Sequence, residues 1–98
     1  MLLTLTPNPS LDLLFEAERL VWDDANRLDA PRRRAGGQGI NVVRAARALG
    51  VEARAVAPLG GPVGHELAAM LAAEGTPLRA VPIEGETRVF VGVRERAT

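Results

Sequence analysis

Asp12, the glycines at 36, 37 and 39, Asn41, and arginines at 27 and 88 have types and spacing that suit an oxygen-rich ligand. Asp12 follows a short apolar run and the turn signal Pro7-Asn8-Pro9, just past the edge of a sheet. A carboxylate there either accepts hydrogen bonds from vicinal sugar hydroxyls or caps the N–H groups of the turn. Gly36-Gly37-Gln38-Gly39-Ile40-Asn41 opens an amphipathic segment. Gly36 and Gly37 let a ligand approach bare backbone, Gly39 starts a helix, and the free N–H groups favour oxygen-rich or anionic groups. A tight strand-to-helix turn would use the same glycines. Asn41 lies in the first helical turn, where its amide either bonds a hydroxyl or is solvated. Arg27 and Arg88 each border an expected strand, and a guanidinium presents two parallel donors to an anion. Arg88 follows the turn Gly85-Glu86-Thr87, which directs it toward the same sheet edge. The run Arg32-Arg33-Arg34 reads as a solvated face.

Other groups offer less. His65 has no serine or cysteine pattern beside it, and Ser10 lacks a nucleophile context. Gly60-Gly61-Pro62-Val63-Gly64 lacks the G-x-G-x-x-G order, and a chain without lysine has no G-K-[ST]. Neither reads as a nucleotide loop. There is no cysteine and one histidine, which excludes disulfides and thiolate chemistry and leaves no expected metal site. Twelve basic groups, all arginine, balance twelve acidic ones, so charge gives no case for nucleic acid or an anionic membrane. The N-terminal apolar run is too short for a signal peptide or a membrane span. A cytoplasmic protein is expected, of one small domain at most within 98 residues.

The elements that must position these residues follow from periodicity. Leu2 to Leu5 reads as a buried strand. Residues 13–18 alternate loosely, and a second strand of the same kind is expected over 26–33, with 20–24 as a loop. This pair interrupts the strand-helix rhythm and reads as an excursion from the main sheet. Trp22 within it is either a lid or subunit contact or partly buried. After the glycines, Val42, Ala45, Ala46 and Leu49 have helical spacing, with Asn41, Arg44 and Arg47 on a polar face and Gly50 as the stop. A strand over 53–57, a loop over 58–62 and a helix marked by Val63, Leu67, Met70 and Leu71 follow, closed by Gly75. Strands over 79–83 and 87–94 complete the chain. Strands separated by helices imply right-handed crossovers and an α/β fold with a parallel sheet, whose ligands gather beyond the strands' carboxyl ends.

Three segments together, Thr4-Leu5-Thr6-Pro7-Asn8-Pro9-Ser10-Leu11-Asp12, Gly36-Gly37-Gln38-Gly39-Ile40-Asn41-Val42 and Gly85-Glu86-Thr87-Arg88, resemble the N-terminal third of the ribokinase-like (PfkB) carbohydrate kinases. Within that family the forms N-P-x-x-D, G-G-x-G-I-N-V and G-E-T-R look most like the 1-phosphofructokinase and tagatose-6-phosphate kinase branch. The resemblance implies that residues 1–98 are the N-terminal part of a kinase domain with a small β-sheet lid, its strands within about 13–33 and 87–95. It implies a ketohexose phosphate substrate, with fructose 1-phosphate first. It also implies that Asp12, Gly36, Gly37 and Asn41 hold sugar hydroxyls, and that Arg27 and Arg88 meet the substrate's phosphate. Members of this branch usually carry lysine where Gln38 stands; glutamine donates a hydrogen bond but adds no charge. ATP and Mg2+ are the implied cofactors. The family's catalytic aspartate, in a Gly-x-Gly-Asp motif, and its ATP pocket are not among these residues, so the chain alone is not expected to transfer phosphate. Such lids often clasp a second subunit, which makes a homodimer the implied assembly. The alternative is a truncated, non-catalytic module that binds a sugar phosphate or pairs through its lid strands.

Overall fold

Alternation along one central strand decides where the core lies. In the computed structural model, which describes residues 1–97, β4 (Ala53–Leu59) buries Ala53, Ala55, Ala57 and Leu59 on one face and exposes Arg54 on the other. It pairs in parallel with β1 (Leu2–Leu5) on one side and β5 (Leu78–Pro82) on the other. The helices α1 (Gln38–Ala48) and α2 (Gly61–Glu74) cover the alanine face, where Ile40, Val43, Leu67 and Leu71 are wholly buried. The opposite face is open: Leu3 is 60%, Leu5 68% and Val81 46% exposed. Parallel sheets are ordinarily covered on both faces, so this surface favours association.

The strand β4 runs two residues further than the periodicity suggests, through Pro58, and α2 starts at Gly61, so the expected loop over 58–62 shrinks to Gly60. Pro58 is tolerated in a central strand for a geometric reason. The carbonyl of Val56 accepts from Thr6 N on the β1 side, and the next residue pointing that way is Pro58, beyond β1's last paired residue. No partner is lost with the missing N–H.

The helix α1 buries a different stripe from the one expected. Ile40 and Val43 face the core, while Val42 is 44% and Leu49 82% exposed. Both stripes satisfy a 3.6-residue period. The polar side wins because α1 lies against the C-terminal end of α2: Arg44 pairs with Glu74 at 2.6 Å and donates to Ala35 O at 2.7 Å, and Arg47 donates to Gly75 O. Of the expected stripe only Ala46 packs against the core. Ile40→Ala is therefore expected to cost about 2–5 kcal/mol and Leu49→Ser no more than about 0.5 kcal/mol in urea denaturation, and the reverse order would restore the Val42–Leu49 face. Gly75 ends α2 in the left-handed region at φ 77°, as glycine does at a helix C-terminus.

The interrupting strands form a second sheet. Its centre is β2 (Ser10–Ala17), antiparallel to β3 (Arg32–Gly36) and parallel to β6 (Arg88–Glu95). The strand expected over 26–33 thus lies later in the chain, in the arginine run itself, whose three arginines are all exposed. Residues 18–31 are irregular instead, tied by the Asn26 side chain to both backbone groups of Val21. Trp22 stands 84% exposed in this connection rather than partly buried. At the far end of β2, the hydrogen bond and charge of Arg96 hold the Glu16 carboxyl below its ordinary range. Helix α2 backs this sheet, with Arg33 bonded to Glu66 at 2.5 Å.

Candidate functional site

The two sheets meet along a seam where the chain crosses between them three times: at residues 6–9, at Gly37 and at residues 83–87. All three segments singled out in the sequence lie on this seam. At the first crossing Thr6 closes β1 and Pro7-Asn8-Pro9 turns the chain into β2. Asp12 is then inside β2, not past a sheet edge, and Ser10 Oγ donates to its Oδ1 at 2.6 Å. Its carboxylate lies on Gly36, where an added Cβ would stand 2.8 Å from Asp12 Cγ and closer still to Oδ2. The absence of a side chain at 36 is what lets the carboxylate occupy that place.

At the second crossing Gly37 has φ 150°, a backbone conformation that side chains disfavour, and leads directly into α1. No side chain caps this helix start; the first bonded amide is Asn41 N, to Gly37 O at 2.9 Å. The preceding amides and the helix dipole face the seam. Thr4 Oγ1 fixes the loop from below by donating to Gly39 O at 2.9 Å.

The third crossing explains two segments that the sequence left loosely connected. Thr87 N donates to Gly60 O at 3.0 Å, and Gly60 N donates to Thr87 Oγ1 at 3.0 Å. Glu86 Oε1 accepts from Val63 N at 2.9 Å, in the first turn of α2. The Gly60–Gly64 stretch is thus a socket for residues 83–87, and a carboxylate already satisfies its helix N-terminus. It does not fit a nucleotide phosphate. Beyond this clamp Arg88 reaches back to the first crossing and donates to Asn8 O at 3.3 Å.

Gly37, Gln38 and Arg88 surround one cavity of about 560 Å³ with Thr4, Thr6 and Asn8, beside the carboxyl end of β1. Asp12 and Gly36 are packed against each other and do not line this cavity. Asn41 is turned toward the arginines, its Oδ1 accepting from Arg44 at 2.9 Å and from Arg34 at 3.4 Å. The structure does not bring Arg27 here: it lies in the exposed 18–31 connection and makes no hydrogen bond or ion pair among the described residues. Sequence reasoning missed Thr4 in β1 and Thr6 just beyond it, two residues apart, whose hydroxyls both lie beneath Gly39. No group of three metal-ligating side chains occurs among the described residues, and no helix there is long and apolar enough to cross a membrane.

Residues 8–95, spanning all three crossings except the first two residues of the seam, match the family described as pfkB family carbohydrate kinase. The chain belongs to this family. It is 39% identical over 97 residues to the ATP-dependent 6-phosphofructokinase isozyme 2 of Mycobacterium tuberculosis, covering 99% of this chain and 29% of that relative. Phosphofructokinase-2 of Escherichia coli, solved in complex with fructose-6-phosphate, superposes with a TM-score of 0.91 at 38% identity, over 98% of this chain and 32% of that one. A tetrameric inhibited form of the same enzyme has also been solved. A Thermotoga maritima protein described as a possible 1-phosphofructokinase gives a TM-score of 0.83 at 32% identity, over 94% of this chain and 30% of its own. The chain thus spans less than a third of the length of these pfkB relatives. Its mixed α/β architecture is the ribokinase-like fold they share.

Proposed function

We propose that this chain is the sugar-binding portion of an ATP-dependent kinase that phosphorylates a fructose phosphate. The observation that carries the reading is the seating of the Asp12 carboxylate on Gly36, beside the uncapped amino end of α1. In this reading Asp12 accepts from sugar hydroxyls, the backbone of Gly36 and Gly37 lies close to the sugar, and Asn41 bonds a further hydroxyl. Arg88 meets the sugar's phosphate with its guanidinium fork, and Arg27, which stands apart in the 18–31 connection, is the second candidate for it. Gln38 contributes an amide donor without charge. These groups position and neutralise the substrate, which is most of what phosphoryl transfer asks of a protein. ATP and Mg2+ belong to the complete reaction, and no residue of this chain is assigned to them. The second sheet acts as a lid over the sugar, and its exposed Val89, Val91 and Val93 offer a surface for a second copy.

The sequence favoured fructose 1-phosphate. The relative at 39% identity is described as a 6-phosphofructokinase, the structure at 38% holds fructose-6-phosphate, and the possible 1-phosphofructokinase stands at 32%, which favours fructose 6-phosphate. Titrating both phosphates and plain fructose into the chain, followed by backbone amide NMR, separates the readings. Fructose 6-phosphate is expected to shift the amides of residues 36–41 at the lowest concentration, and Arg88→Ala to weaken it about 10- to 100-fold toward the level of fructose. No shift with any of the three ligands would overturn the reading.

A further inference from the structure

We propose that the hydroxyl of Thr6 is a sugar-binding group, bonded to a ligand oxygen at the amino end of α1. The inference rests on the sugar-phosphate reading above. Thr6 is 3% exposed and its backbone N–H is satisfied by Val56 O at 2.9 Å, yet its Oγ1 has no hydrogen-bond partner among the described residues. A buried hydroxyl without a partner is costly, and few persist in folded proteins without a use. Two residues earlier, Thr4 stands on the same face of β1 and its hydroxyl is satisfied by the glycine loop. The two threonines therefore divide the work. Thr4 anchors the loop, and Thr6, a residue of the Gln38–Arg88 cavity wall, keeps an unpartnered hydroxyl buried beneath Gly39. Gly39 belongs to the same arrangement: a Cβ there would stand 2.5 Å from Thr6 Oγ1 and 3.1 Å from Thr4 Oγ1, capping both hydroxyls.

Thr6→Val keeps the shape and removes the hydroxyl. Two signs are expected together: Thr6→Val melts above the wild-type chain, yet its dissociation constant for fructose 6-phosphate rises about tenfold, while Thr6→Ser stays within about threefold of wild type. A residue with only a packing role would not separate stability from affinity in this way. Equal affinity in Thr6→Val and wild type overturns the proposal. So does a Thr6→Val chain that melts lower or fails to fold, since its hydroxyl would then already carry a bond. If the wild-type chain does not bind fructose 6-phosphate at all, the sugar-phosphate reading falls first and Thr6 with it.

Discussion

Gly36→Ala is expected to weaken fructose 6-phosphate binding about 10- to 100-fold while moving the melting temperature by only a few degrees. The new methyl group would meet the far end of the Asp12 side chain, its Cγ at 2.8 Å. A carboxylate can rotate away from such a clash at modest cost. Doing so breaks its bond from Ser10 and removes it from the place where it would receive sugar hydroxyls. The backbone of residue 36 has no positive φ, so alanine is not strained there, and the pairing of Ser10 with residue 36 can persist. Titration of the variant beside wild type, with a thermal melt of each, checks both halves. Unchanged affinity would remove Asp12 from the site.

Gly60→Ala should do the opposite and cost about 3 kcal/mol or more of stability, enough to unfold much of a small domain. Here the added Cβ would run into backbone, the carbonyl oxygens of Gly85 and of Ile83, the latter at 2.8 Å. Carbonyls cannot rotate out of the way. The whole 83–87 connection must lift, and with it go both Thr87 bonds to Gly60 and the Ile83 N bond to Leu59 O at 3.1 Å. Gly85→Ala is the control, since nothing lies within 4 Å of a Cβ there. Urea denaturation should rank Gly60→Ala far below wild type and Gly85→Ala close to it. Comparable stability of the two variants would mean that the clamp adds little.

Much of this was legible in the residues. Strands β1, β4 and β5 and both helices stand close to where apolar runs and periodicity put them, although Leu2–Leu5, expected as a buried strand, is largely exposed because its outer face is uncovered. The residues at the seam stood out because glycine, proline, aspartate and arginine each have a narrow range of uses. What was not legible depended on long-range partners. Helix α1 carries two stripes of equal period, and only the approach of Glu74 and Gly75 selects the one bearing Arg44. Arg32-Arg33-Arg34 reads as a solvated run and is one, yet its backbone completes β3 because β2 offers it an edge. Pro58 looks like a strand end, and only the length of its neighbour β1 makes it harmless. The free hydroxyl of Thr6 is invisible to any periodicity, because its distinction is a partner it lacks. Arg27 stands out only if a strand runs over 26–33, and the irregular 18–31 connection that takes its place leaves it apart from the cavity.

The seam has a mechanical consequence. Strands β2 and β6 each extend for eight residues from it, an arm of roughly 26 Å at about 3.3 Å per residue. The arm is fastened at its foot by hydrogen bonds between Arg88 and Asn8 and between Thr87 and Gly60, and braced along its back by Arg33 on Glu66. A rotation of about 10° at the foot carries the tip, near Glu16 and Arg96, through roughly 4–5 Å on this length. Whatever seats between Asp12 and the glycine loop therefore works at the short end of a lever. On such an arm, displacement grows in proportion to distance from the seam, and the Arg33–Glu66 brace is what holds it against that turn.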